Sequence, residues 1–97
     1  MAEKLSPAAR KAALTKLKDW AEASGRDAIT RKFTFKDFRE AFAFMTKVAE
    51  VAEEMNHHPE WLNVYMTVEV TLATHHAGGV TALDVKLAEA MDKLAIS

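Results

Sequence analysis

Ninety-seven residues suffice for one domain, expected over 1–97, with a modest hydrophobic core. Apolar residues are 49% and charged residues 28% of the chain, which excludes a disordered polymer, and a formal charge of −1 gives no general pull toward nucleic acid or an anionic membrane. Cysteine is absent, which removes any disulfide framework, thiolate nucleophile or Cys-type zinc site and fits the cytoplasm.

Met1-Ala2-Glu3-Lys4-Leu5 lacks the apolar centre of a signal peptide. No apolar run approaches the roughly 20 residues that a membrane span needs. Ser6-Pro7 is a helix start, with a capping hydroxyl followed by a proline suited to the first helical position. Ala9, Ala13, Leu14 and Leu17 recur at helical spacing and predict a helix over about 7–18. Trp20 to Ala23 suits a short strand, and Ser24-Gly25-Arg26-Asp27 has turn composition. Ile29, Phe33 and Phe35 alternate with Thr30, Lys32 and Thr34, a half-buried strand that would pair with the first as a hairpin. Arg31 falls on the side of Ile29 and Phe33, so that face is not wholly dry.

The strongest helix follows, from about Lys36 to Met55. Phe35, Phe38, Phe42, Met45, Ala49 and Ala52 trace one apolar stripe, and Phe44, Val48, Val51 and Met55 add a second beside it. One stripe is enough to cover a sheet. The other is expected to pack on another subunit, or else under the first helix.

Beyond Trp61, the residues Leu62, Val64, Met66, Val68, Val70 and Leu72 alternate with Asn63, Tyr65, Thr67, Glu69 and Thr71, a β pattern with one buried face. Periodicity favours a single strand. Such a strand would hold His58 and His75 about 50 Å apart, at roughly 3.3 Å per residue. The two could then share a site only across a subunit interface, unless the run folds back as a hairpin near Asn63–Thr67. Gly78-Gly79 breaks the chain, and Thr81-Ala82-Leu83-Asp84 is a capping box opening a last helix with the stripe Leu83, Leu87, Met91 and Leu94. The order predicts a two-layer α+β domain, an antiparallel sheet of about four strands with three helices packed on one face.

The chemistry-bearing residues are the histidines. All four lie in two pairs at element ends, His57-His58 before Pro59 and His75-His76 before the glycines. Imidazole is the side chain whose ordinary charge change falls near neutral pH, so the clusters point to acid–base chemistry or a metal. Adjacent histidines suit one metal ion poorly, since a helical site prefers i, i+4 spacing. Glu53, Glu54, Glu60 and Asp84 could complete a His-carboxylate set, but no spacing fixes one. Acid–base work fits better, because the end of a helix favours an imidazolium. The plainer alternative is that His57 and His58 cap a helix end in solvent, that Asp84 serves its capping box, and that Glu53 and Glu54 are surface charges.

Glu53-x-x-x-His57-His58-Pro59-Glu60-Trp61-x-Asn63-Val64-Tyr65, then Leu72-Ala73-Thr74-His75 and Asp84, resembles the pterin-4a-carbinolamine dehydratases. The likeness extends upstream through Phe33-Thr34-Phe35-Lys36-Asp37-Phe38 and Ala41-Phe42-Ala43-Phe44-Met45-Thr46 and covers nearly the whole chain. It implies a β2-α-β2-α core behind an N-terminal helix, hence two strands in the long alternating run. It also implies dehydration of a 4a-hydroxytetrahydropterin to the quinonoid dihydropterin, which serves aromatic amino acid hydroxylases and needs neither metal nor redox cofactor. By that resemblance His57 and His75 are the acid–base pair and His58 binds the pterin. Glu53 and Asp84 support the pocket, and Pro59 and Trp61 shape its wall. His76 has no role in the family pattern. A homodimer or homotetramer is the expected assembly, with no direct contact to nucleic acid or membrane. The mammalian member's second role, as a dimerisation cofactor of a homeodomain transcription factor, implies an alternative function as a protein-binding coactivator.

Overall fold

The computed structural model describes residues 3–96. Helix α1 spans Pro7–Lys16, β1 Ala21–Glu22, β2 Ile29–Thr34, α2 Phe38–Met55, β3 Glu60–Val64 and β4 Thr67–Leu72. A single 3₁₀ turn, His75–Ala77, precedes α3, Ala82–Ala95. The four strands form one antiparallel sheet in the order β1-β2-β4-β3.

Register decides which face is covered. Ile29, Arg31 and Phe33 of β2 stand opposite Leu72, Val70 and Val68 of β4, and Trp61 of β3 stands opposite Val70. These residues share one face, and the helices lie on it: Leu14 and Leu17 from α1 and its end, Phe44 and Val48 from α2, and Leu87, Ala88 and Met91 from α3 belong to the same core. The predicted two-layer α+β arrangement is therefore observed, with the other sheet face open. Arg31 is the charged residue on the inner face of β2. Its guanidinium reaches Asp92 of α3 at 2.6 Å and lies 4.1 Å from the centroid of the Phe33 ring. Trp20 Nε1 donates to the same carboxylate at 2.9 Å, so one acid satisfies two inward polar groups.

Two expectations fail for geometric reasons. The first is the start of α2 and the extent of its apolar face. Asp37 caps this helix by accepting the Glu40 N–H at 2.9 Å, so Phe35 and Lys36 precede it. The core face is Ala41, Phe44, Val48 and Ala52, drawn from both expected stripes. Phe38 and Phe42, members of the stripe that runs on from Phe35, remain 46% and 54% exposed. Helix α1 does not cover them. It is fastened at the far side, by Arg10 to Glu22 and Asp27, and the adjoining Leu5 N–H donates to the Val80 carbonyl.

The second failure lies in the long alternating run. The chain turns at Tyr65-Met66, with Tyr65 in a left-handed conformation at φ 52°. Asn63 Nδ2 spans the turn by donating to the carbonyls of Tyr65 and Thr67 at 3.2 and 2.9 Å. The hairpin implied by the family resemblance is thus present and the single strand is not. A two-residue turn pairs Val64 with Thr67 and Asn63 with Val68, which reverses the parity of the inward positions. Leu62 and Val64 therefore face outward, 58% and 59% exposed, although they continue the apolar register of Val68, Val70 and Leu72.

Candidate active site

The first histidine pair is aimed by the way α2 ends. Asn56 takes the left-handed conformation, φ 51° and ψ 44°, and its N–H closes on the carbonyls of Ala52 and Glu53. The His57 N–H then returns to the Ala52 carbonyl at 3.0 Å. This reversal drives the His57 side chain inward while His58 stays outside. His57 is buried, and its Nε2 lies 2.5 Å from Oδ1 of the fully buried Asp84.

Asp84 occupies the third position of α3 and closes the predicted capping box with Thr81. Its Oδ2 accepts the Thr81 N–H at 2.9 Å and the Thr74 hydroxyl at 2.8 Å. Because Thr74 donates to Asp84, the 2.7 Å contact between the two threonine hydroxyls must run from Thr81 to Thr74. Thr81 Oγ1 in turn accepts the Leu83 N–H at 3.2 Å. A directed chain of donors thus ends on one carboxylate at the positive end of α3. A carboxylate in this setting only accepts, so the proton between it and His57 resides on Nε2. Among the described residues no buried side-chain nitrogen or oxygen lacks a partner. Nδ1 of His57 has no protein partner there, so it must reach solvent.

A cleft of about 450 Å³ is bordered by all four histidines together with Pro59, Glu60, Thr74 and Leu83. The hairpin brings the two pairs together within one chain. His58, on the rim, holds Glu53 through Nε2 and Oε2 at 2.5 Å, both side chains being largely exposed. His75 begins the 3₁₀ turn with its side chain 82% exposed, and its Nε2 lies 3.6 Å from Glu60 Oε2. Hydrogen bonds from Arg26, then its charge, and to a smaller extent His75 hold the Glu60 carboxyl below the ordinary carboxylate range. The same carboxylate, by hydrogen bonding first and charge second, raises the Arg26 guanidinium above its own.

Of the expected site residues, His57, His58, Pro59 and His75 border the cleft. Glu53 and Asp84 stand one layer back, each behind a histidine. Trp61 lies on the inner face of β3, half-buried against the core, and does not border the cleft. His76, which the family pattern leaves out, does. Thr74 was visible only as part of the family motif, without its bond to Asp84 ten residues on, and Arg26 carried no sequence signal because its partner lies 34 residues away. Among the described residues no three His, Asp or Glu side chains converge as metal ligands.

A profile of the family described as pterin 4 alpha carbinolamine dehydratase matches residues 3–94. The chain belongs to that family. It is thereby placed among hydro-lyases, and relatives agree over their full lengths. A Bradyrhizobium sp. (strain BTAi1) protein, provisionally named pterin-4-alpha-carbinolamine dehydratase, is 66% identical over 97 residues, covering 100% of this chain and 98% of its own. A Jannaschia sp. protein with the same provisional name is 61% identical, covering 98% and 99%. The crystal structure of a transcriptional coactivator/pterin dehydratase from Brucella melitensis superposes with a TM-score of 0.95 at 49% identity, over 96% of this chain and 99% of that one. A pterin dehydratase-like protein identified as a RuBisCO assembly factor in the α-carboxysome superposes with a TM-score of 0.69 at 25% identity, over 81% and 92%.

Proposed function

We propose that this chain is a cytoplasmic single-domain hydro-lyase that removes water from a 4a-hydroxytetrahydropterin, giving the quinonoid dihydropterin that aromatic amino acid hydroxylases need returned. The supporting observation is the convergence of both histidine pairs on one cleft, with Nδ1 of His57 open to solvent while Nε2 is fixed on Asp84. Elimination requires an acid to protonate the departing hydroxyl and a base to take the ring N–H proton. His57 and His75 divide those two steps. His58 binds and orients the pterin, with Glu53 fixing its ring. Asp84 fixes the ring of His57, Pro59 forms wall, and Trp61 supports that wall from behind β3. The chemistry consumes no cofactor.

Purified protein should accelerate loss of the 4a-hydroxytetrahydropterin absorbance well beyond the spontaneous dehydration. A rate equal to that of buffer alone would refute the assignment.

The assembly reading rests on Phe38 and Phe42, whose rings lie side by side on the exposed face of α2, tilted at 37° with centroids 5.7 Å apart. Large exposed aromatics side by side mark a contact surface, and a homodimer or homotetramer would bury them. Light scattering should give a mass above 10.8 kDa at micromolar concentration. A strict monomer would contradict this. The same strip favours a second reading, a protein-binding role alongside catalysis. Two structural relatives are described as a transcriptional coactivator and as a RuBisCO assembly factor, so this fold is described in protein-directed roles elsewhere.

A further inference from the structure

Arg26 and Glu60 lie outside every role assigned so far, yet they meet beside His75. Arg26 sits in the turn between β1 and β2, where Gly25 adopts φ 75°. The next residue pins that turn in place. Asp27 Oδ2 takes Arg10 at 3.1 Å, and Asp27 Oδ1 accepts the Val80 N–H at 3.1 Å. Gly79 allows this approach, since a Cβ there would stand 2.6 Å from the Asp27 carboxyl carbon. The turn is thereby held against the loop that follows His75.

From this anchored turn Arg26 reaches Glu60, the first residue of β3. NH1 donates to Oε1 at 2.9 Å and NH2 to Oε2 at 2.8 Å. A planar fork on both oxygens stops the carboxylate from rotating. Oε2, so fixed, is the oxygen 3.6 Å from Nε2 of His75. That spacing is an ion-pair contact, longer than a hydrogen bond, of the kind that tightens when substrate fills a site. His75 needs such a restraint. It is 82% exposed on a three-residue turn, and Glu60 is the one charged side chain within ion-pair distance among the described residues.

We propose that Glu60 is a positioning residue for His75, and that Arg26 serves by locking the Glu60 carboxylate. As the contact tightens, Glu60 accepts a hydrogen bond from Nε2–H of the neutral ring and leaves Nδ1 as the nitrogen available for proton transfer. When the ring is charged, Glu60 supplies its counter-ion. The consequence for turnover rests on the dehydratase reading, whereas the holding of the ring does not.

The pair is exposed, so removing it should barely change stability. Glu60→Gln should lower kcat about 10-fold, the low end for partners that orient a functional imidazole, with KM within about 2-fold. In the His75→Ala background the same change should add no loss, because its effect passes through His75. The exchange Arg26→Glu with Glu60→Arg restores an ion pair but sets a cation beside His75, so it should not regain the wild-type kcat. Nitrogen-15 NMR of the His75 ring should show the Nε2–H form of the neutral ring giving way to Nδ1–H in Glu60→Gln.

An equal loss in the His75→Ala background, a fully active exchange variant, or an unchanged His75 ring signature would each overturn the proposal. Should the wild-type chain show no dehydration at all, the functional assignment fails while the ring signature still decides the positioning role.

Discussion

His57 and His75 are wired alike and held differently. Each turns Nε2 toward a carboxylate, Asp84 for His57 and Glu60 for His75. One carboxylate is fully buried and saturated by Thr74 and the Thr81 N–H, at 2.5 Å from its imidazole. The other is exposed, held by a single arginine, and 3.6 Å away. A buried pair of this kind is part of the fold, since losing either member strands polar groups in a dry place. An exposed pair at longer range contributes little to the fold and can affect only the orientation of the ring. One histidine is therefore fixed before substrate arrives, and the other retains freedom to follow it.

The contrast can be broken by measuring rate and stability on the same variants. His57→Ala should show the largest combined effect: kcat lower by roughly 10²–10⁴, the usual share of a general acid or base, with stability lower by about 1–3 kcal/mol because Asp84 loses a buried donor. Urea unfolding would read the second number. His75→Ala should match it in kcat but leave stability within about 0.5 kcal/mol, as for an ordinary surface change. If both variants keep full rate while folded, neither histidine transfers a proton. If His75→Ala unfolds as readily as His57→Ala, the division between a fixed and a free imidazole is wrong.

His58→Ala should raise KM several-fold with kcat little changed, because a binding group contributes similarly to ground and transition states. Steady-state kinetics across substrate concentration separates the two parameters. The smallest effect concerns Glu60. Its carboxyl lies below the ordinary value of 4.5 in the folded chain, so the unfolded chain takes up the proton first as pH falls. The contribution of the pair is complete above about 4.5 and disappears as pH drops through the folded-state value. Wild type and Glu60→Gln should therefore differ by about 1 °C in Tm near neutrality and converge in acid. A gap that widens toward low pH would mean that Arg26 and Glu60 are not an attractive pair.

Most elements were legible from local pattern because their determinants are local. Ser6-Pro7 and the Thr81-x-x-Asp84 box placed two helix starts correctly. The errors arose where a local rule was extended across a boundary that it could not see. Counting the α2 stripe from Phe35 included a residue that precedes the helix, since Asp37 caps it. Unbroken alternation from Leu62 to Leu72 concealed a turn whose signal is a tyrosine at positive φ, a residue that rarely occupies that conformation. In the site, the histidine pairs stood out by their rarity. Glu60 did not, because an acid becomes informative only when its partner is known, and Arg26 is 34 residues away.

Asp84 also bears on how such a chain can change over generations. Its carboxylate begins the last helix by accepting the Thr81 N–H, and the same group accepts the hydrogen bond from His57 Nε2. A lineage that drifted away from this acid would lose helix initiation together with imidazole orientation, so selection for a folded chain maintains half of the site even when the reaction is idle. His75 and Glu60 have no such protection. Copies released from the chemistry should lose the second histidine pair first while the first pair persists as architecture.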